Sequence, residues 1–326
     1  MLRAYVPSNG SLKVVEVPAG DLPPPEATWI DLYKPTREEE QTVERALGLE
    51  VPTREEMQEI EISSRLYEHN GNLYMTASVV MNADSDQPEV TAVTFILVGR
   101  RLATIRYGEP RAFRTFPLHA ARMPGVCQTG ETTLLGLLDT IIDRAADVLE
   151  RVGAESDALS REIFGPGSGG KPTRASSDDL REALRDLGRH HDLTSKTRES
   201  LVSIGRLLTF LAQPGTERSK DFRNRVKSLA RDAHSLTEHT AFLSNNLTFL
   251  LDAMLGLINV EQNSIIKIFS VAAVVFLPPT LIASIYGMNF QWMPELGWKA
   301  GYPFAIVLMI ISAILPYAYF KRRGWL

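Results

Sequence analysis

Residues 220–277 read KDFRNRVKSLARDAHSLTEHTAFLSNNLTFLLDAMLGLINVEQNSIIKIFSVAAVVFL, and the first proline after them is Pro278. Apolar or small residues fall at Phe222, Val226, Leu229, Ala233, Leu236, Thr240, Leu243, Leu247, Leu250, Met254 and Leu257. The steps alternate between 4 and 3, which is a heptad seam. The spacing predicts one helix from about residue 220 into the apolar tail. At ~1.5 Å per residue, such a helix of ~60 residues is ~90 Å long. Globular helices average about 11–12 residues. A helix this long is expected to pack against copies of itself or against the two helices before it.

Two apolar segments close the chain. Residues 266–286 carry one charge, Lys267, in their first turn, and residues 302–320 carry none. Each has roughly the 20 residues that span a bilayer's hydrocarbon. Uncharged runs of this length are rare in soluble cores. Trp292, Trp298, Tyr302, Tyr317 and Tyr319 sit near the ends, as interfacial aromatics do. Lys321-Arg322-Arg323 and Lys267 place the C-terminus and the entry to the first span on the cytoplasmic side. Two spans return the chain to its starting side, so both termini are expected in the cytoplasm. The loop 287–301 then faces outside, with Glu295 and Lys299 as its charges.

The 326 residues carry 35 Lys+Arg and 39 Asp+Glu, a net charge of −4. A mean hydropathy of −0.08 argues against a polytopic membrane protein. The charge is segregated. Residues 266–326 hold five basic side chains and one acid, which leaves 30 basic and 38 acidic residues before them. An acidic body attracts cations and does not suit nucleic acid as a partner. The single cysteine, Cys127, fits a reducing compartment. The opening MLRAYVPSNGSLKVVEV alternates like a strand and has no apolar signal core.

The first ~130 residues mix helix and strand segments without strict alternation, so α+β or a mixed sheet is expected. Strands are expected at Leu2–Val6, Leu12–Val17 and Thr28–Leu32. A helix is expected at Thr36–Leu49, and another begins at Thr53. Two hairpins follow: Ser64–His69 with Asn72–Val80 around Asn70-Gly71, and Val90–Val98 with Leu102–Tyr107 around Gly99-Arg100. From residue 133 the chain reads as helical. Thr133–Phe164 ends at the loop GPGSGGKPT (165–173). A helix capped near Ser176 runs to about Ala212, and Pro214-Gly215 interrupts again. The organisation expected is a cytoplasmic α/β domain (1–132), a helical region with a long stalk (133–265), a first span (266–286), an outer loop (287–301), a second span (302–320) and a basic tail (321–326).

Tyr286-Gly287-Met288-Asn289-Phe290, followed by Met293-Pro294-Glu295-Leu296, lies between the two spans. This pairing resembles the CorA family of magnesium and cobalt transport proteins. INVEQNSIIKIF (258–269), VFLPPTLIAS (275–284) and the ending YFKRRGWL resemble its proteobacterial branch. The close resemblance covers residues 245–326, and the N-terminal domain adds no matching motif. The family implies a funnel-shaped homopentamer whose first spans line one pore. It implies that Gly287, Met288 and Asn289 form the selectivity filter, through the Gly287 carbonyl and the Asn289 amide oxygen. Mg2+ dehydrates reluctantly, and neutral oxygens hold its hydrated form without trapping it. Another residue at position 287 is expected to be strained. Glu295 would gather cations at the outer mouth.

Carried back from Asn289, the family's pore positions fall on Thr280, Leu277, Ala273, Phe269, Ile266 and Asn263. These steps of 3 or 4 keep to one helix face. Thr280 and Asn263 offer oxygens, while Leu277, Phe269 and Ile266 would form apolar rings that close by dewetting. The family also implies that Mg2+ is a regulatory ligand as well as the substrate. Asp252, Asp232 and Glu238 are the stalk carboxylates for it, and Asp84-Ser85-Asp86 with Glu89 is the candidate partner region. No other cofactor is expected. No Gly-x4-Gly-Lys-Ser/Thr loop and no nucleophile–base set occurs, so an ATP-driven pump and an enzyme are not expected. The six histidines form no zinc-type cluster with cysteine. The expectation is passive, potential-driven uptake of Mg2+, with Co2+ and Ni2+ as surrogates. Open alternatives are a zinc-transporting relative, an efflux role and a membrane-anchored coiled-coil scaffold.

Overall fold

The computed structural model describes residues 1–8, 11–18, 20–121, 125–164, 177–213, 218–289 and 293–323. The 165–173 loop, the cap at Ser176, Pro214-Gly215, Phe290 and Trp292 lie outside the described residues. The chain divides into two compact units, Met1–Leu251 and Asp252–Leu326.

The N-terminal unit is built on one mixed sheet. Its strands are β1 (Leu2–Ser8), β2 (Ser11–Val17), β3 (Trp29–Tyr33), β4 (Leu66–His69), β5 (Asn72–Met81), β6 (Glu89–Val98) and β7 (Arg101–Arg106). Their order is β2-β1-β3-β7-β6-β5-β4. Every neighbouring pair is antiparallel except β3 with β7, where Asp31 lies opposite Thr104 and Tyr33 opposite Arg106. Asn70 (φ 53°) and Gly71 (φ 77°) both adopt the left-handed conformation that a two-residue hairpin turn demands. Ser64 and Arg65 are not strand residues, because they close the short helix α3 (Ile62–Arg65) that feeds β4.

Helix α1 (Arg37–Leu47) starts at a reciprocal capping box between Thr36 and Glu39 and stops at Gly48, whose φ of 64° suits glycine. Helix α2 (Arg54–Gln58) repeats the box with Thr53 and Glu56. Strand alternation sends Ile30, Leu32, Ala103 and Ile105 into one core with Val43 and Met57 of these helices. The other sheet face sends Trp29, Phe95 and Leu102 into a second core. That core is completed by α4 (Arg111–Ala120), α5 (Gly130–Phe164), α6 (Ser177–Leu211) and the start of α7 (Lys220–Tyr286). Helix α4 is an addition to the sequence expectation. Its Ala112, Phe113, Phe116 and Ala120 are buried, and Pro117 within it masks the helical pattern.

Helix α7 runs unbroken for 67 residues, as its spacing predicts, and contributes to both units. Within the N-terminal unit its heptad seam faces its own chain. Phe222, Val226, Leu229 and Ala233 join the core with α5 and α6, and Leu243 packs with Ala145, Leu149 and Leu201. Burial along the seam lasts to Met254, and Leu257 is exposed. The second unit holds the end of α7, a 3-10 turn (Pro294–Gly297) and α8 (Gly301–Arg322).

Candidate functional site

The end of α7 passes straight through Pro278-Pro279. Neither proline has an N–H to give the carbonyls of Val274 and Val275 one turn back. In lipid such carbonyls need protein or water beside them. Asn263, Ile266, Phe269, Ala273, Leu277 and Thr280 are all exposed in the single chain, so the predicted face is one open strip. Thr280 Oγ1 donates to the Phe276 carbonyl at 2.8 Å, which leaves the oxygen's lone pairs as acceptors.

At the helix end, Gly287 N–H donates to the Ala283 carbonyl at 3.0 Å and Met288 N–H to the Ile285 carbonyl at 3.3 Å. Gly287 does not take a left-handed conformation, contrary to expectation. The helical hydrogen bond keeps it in register, and an added Cβ would stand 3.2 Å from the Ala283 carbonyl oxygen. A side chain at position 287 would therefore need that carbonyl to give by a few tenths of an ångström. Asn289 is exposed just past this carbonyl-rich end, the negative pole of the helix. Met293 is half-buried, and Pro294, Glu295 and Leu296 lie in the 3-10 turn before α8. Only 6% of the most apolar window of α7, and of α8, is buried within the chain. A soluble core helix would be mostly buried, so both helices present apolar surface fit for a bilayer. Lys321 and Arg323 stand over the rings of Tyr317 and Tyr319 at the far end of α8.

The stalk carboxylates are spread along α7. Glu238 lies 3.6 Å from His234, and Asp252 is exposed. Asp232 faces α5, where it acts on Asp143. Burial pushes the Asp143 carboxyl above its ordinary value, and Asp139, Asp147 and Asp232 push it further while His119 opposes them. Among the described residues, no three His, Cys, Asp or Glu side chains are grouped to hold a metal ion. A raised carboxyl opposes folding once ionised, so its cost appears as pH rises through the folded value. Asp143→Asn is expected to stabilise the chain at pH 7 by about 0.2–0.5 kcal/mol, the scale of a like-charge helix pair. The gain should fade below about pH 4, where an ordinary aspartate protonates. Thermal unfolding followed by circular dichroism at both pH values checks this.

The Asp84 region is occupied by arginines, which the sequence reading missed. Asp84 accepts from Arg111 at 2.5 Å, Arg144 at 2.7 Å and Arg151 at 2.5 Å. Burial would raise its carboxyl, but these guanidinium groups hold it below the ordinary value. Asp86 pairs with Arg189, and Lys196 Nζ donates to the Pro88 carbonyl at 2.7 Å. The β5–β6 loop is thereby tied to α4, α5 and α6. The signal in the sequence was Arg144 and Arg151, seven apart on one face of α5.

The family model for the CorA-like Mg2+ transporter protein matches residues 25–322. The chain belongs to this CorA family. It is 38% identical over 330 residues to the magnesium transport protein CorA of Escherichia coli (strain K12), with all of both chains covered. Among solved structures, the complete CorA magnesium transporter from Methanocaldococcus jannaschii matches with a TM-score of 0.74 at 19% identity. That match covers 100% of this chain and 99% of the other. The full-length CmaX protein matches with a TM-score of 0.64 at 16% identity, covering 100% and 98%. The CorA family is one of transporters, so the lack of a catalytic constellation in the sequence has its explanation. Family membership extends through the N-terminal sheet, where the sequence offered no motif.

Proposed function

We propose that this chain carries Mg2+ into the cytoplasm, through a pore lined by the Asn263–Thr280 strip of α7 and filtered at Gly287-Met288-Asn289. The observation that carries this reading is the open strip itself. It places the Thr280 oxygen within the apolar span, with the Asn263 amide just before the span's entry, and it leads to an amide at the helix end. Polar side chains in a span face protein or water. The working form is a homopentamer in the cytoplasmic membrane, with two spans per chain and both termini inside. Co2+ and Ni2+ pass as surrogates, and Glu295 draws cations to the outer mouth.

Transport is passive. Each 100 mV, inside negative, contributes about 4.6 kcal/mol for a divalent ion. Cytoplasmic Mg2+ regulates the pore through stalk carboxylates. Asp232 is supported by its place beside Asp143, and Asp252 by its exposure near the first span. Asp84 would have to leave three arginines to take part, so it is not assigned.

The test is Mg2+ uptake into liposomes holding the purified full chain, with a trapped Mg2+-sensitive dye and an imposed inside-negative potential. Uptake that rises with the potential is expected. Uptake of Zn2+ without Mg2+ would transfer the reading to a zinc transporter. No flux of either ion would leave the scaffold reading.

A further inference from the structure

The chain before residue 266 holds 38 acids and 30 bases, yet at one cavity of the N-terminal unit the sign reverses. The cavity measures about 610 Å3 and lies between the end of β5, the β5–β6 loop, α4, α5 and α6, wholly within Met1–Leu251. Three helix faces line it. Arg111, Arg114 and Leu118 follow steps of three and four on α4, and Ile141, Arg144 and Val148 do so on α5. Ser200 lines it from α6. Three guanidinium groups meet two carboxylates here, Asp84 and Glu109. Tying down the β5–β6 loop accounts for only part of this charge. Asp84 accepts from Arg111, Arg144 and Arg151, but a carboxylate offers roughly four acceptor sites where three guanidinium groups bring about fifteen N–H donors. Arg114 takes no part in that clamp. It is exposed and pairs with no other side chain among the described residues. Ser200 is 2% exposed, and its hydroxyl has no hydrogen-bond partner among the described residues. A buried hydroxyl left unpaired is costly. The rest of the wall is apolar, with Val79, Ile141 and Val148 buried behind the cavity.

We propose that this cavity binds a nucleoside phosphate, with the phosphate on Arg111, Arg114 and Arg144 and the base against Val79, Ile141 and Val148. Guanidinium forks match phosphate oxygens two at a time. Asp84 keeps its place, because donors remain for both anions. Small-molecule sites commonly measure about 300–1,000 Å3 and join apolar walls to a few converging polar groups. A bare cation does not suit the cavity, since arginines outnumber acids in it. Inorganic phosphate would satisfy the arginines and leave the apolar wall wet. A sugar phosphate would set hydroxyls against that wall without partners. A base covers it with a flat, weakly polar face, and Ser200 can donate to or accept from the base's edge. The proposal stands apart from the pore reading of α7.

The test is equilibrium dialysis of the purified full chain in detergent, at fixed Mg2+, against radiolabelled adenosine monophosphate. Submillimolar binding is expected. Unlabelled adenosine, ribose phosphate and inorganic phosphate should each compete at least tenfold more weakly than unlabelled adenosine monophosphate, because each lacks the charge or the base. Arg114→Gln should weaken binding at least tenfold. Its thermal unfolding should match the parent's, since Arg114 has no partner to lose. Arg45→Gln removes the same charge from α1, which packs on the other face of the sheet, and should change binding less than twofold. No binding of adenosine monophosphate by the parent overturns the proposal. So does binding by Arg114→Gln as tight as the parent's, or an equal loss in both variants. Ribose phosphate competing as well as adenosine monophosphate overturns the place given to the base.

Discussion

Replacing Arg106 with methionine is expected to cost the N-terminal unit about 3–5 kcal/mol, the scale for removing one partner of a buried ion pair. The Arg106 and Asp31 side chains are 2% and 1% exposed. Arg106 Nη2 donates to Asp31 Oδ2 at 2.9 Å and Nε to Oδ1 at 3.1 Å, while Nη1 donates to the Gly108 carbonyl at 3.1 Å. Asp31 Oδ1 also accepts from Thr104 Oγ1 at 2.7 Å, and that oxygen accepts from Trp29 Nε1 at 2.9 Å. The guanidinium lies between the rings of Tyr33 and Phe113, at 4.4 and 4.7 Å from their centroids. Methionine restores volume but leaves the Asp31 carboxylate dry and short of two donors. Urea unfolding of the full chain in detergent would read the loss. A midpoint unchanged from the parent would show that water reaches Asp31. The double variant with Asp31→Leu should recover most of the loss, because the charge left behind causes it.

This pair also marks where the sequence stopped being legible. Strands β3 and β7 could each be read from alternation, and Asp31 and Arg106 each break an inward-facing row. Nothing local says that strands 75 residues apart are neighbours, let alone the sheet's parallel pair. The same limit hid the three arginines on Asp84, which come from two helices. It hid Gly130 as well, whose absent Cβ lets the start of α5 meet the Arg101 backbone. Much of the local chemistry was legible, though Ser64-Arg65, α4 and the backbone at Gly287 were not. The capping residues of α1, the Asn70-Gly71 turn and the unbroken run of α7 each depend on residues a few positions apart. Gly287-Met288-Asn289 was singled out for another reason: the motif resembles the family's and follows a span that hydropathy locates, and its role as a filter is a proposal.

Asn289→Ala is expected to reduce Mg2+ uptake at least tenfold, while the chain folds and inserts as before. Position 289 follows α7, beyond its last hydrogen bonds, so the side chain supports no secondary structure. Stability should therefore hardly change. The effect on the ion is different in kind. The helix end already presents carbonyl dipoles, and these remain in the variant. What alanine removes is a neutral oxygen that can bind the water shell Mg2+ keeps. A tenfold loss corresponds to about 1.4 kcal/mol, the scale of a single charge-assisted hydrogen bond. Asn289→Asp separates this account from a purely steric one. It is nearly the same size, yet a carboxylate binds the ion more strongly and should slow its release. A filter predicts that both variants lose flux, with Asn289→Asp showing tighter Mg2+ competition against Co2+. A steric constriction predicts loss in neither variant. A scaffold, which carries no ion, predicts no flux to lose.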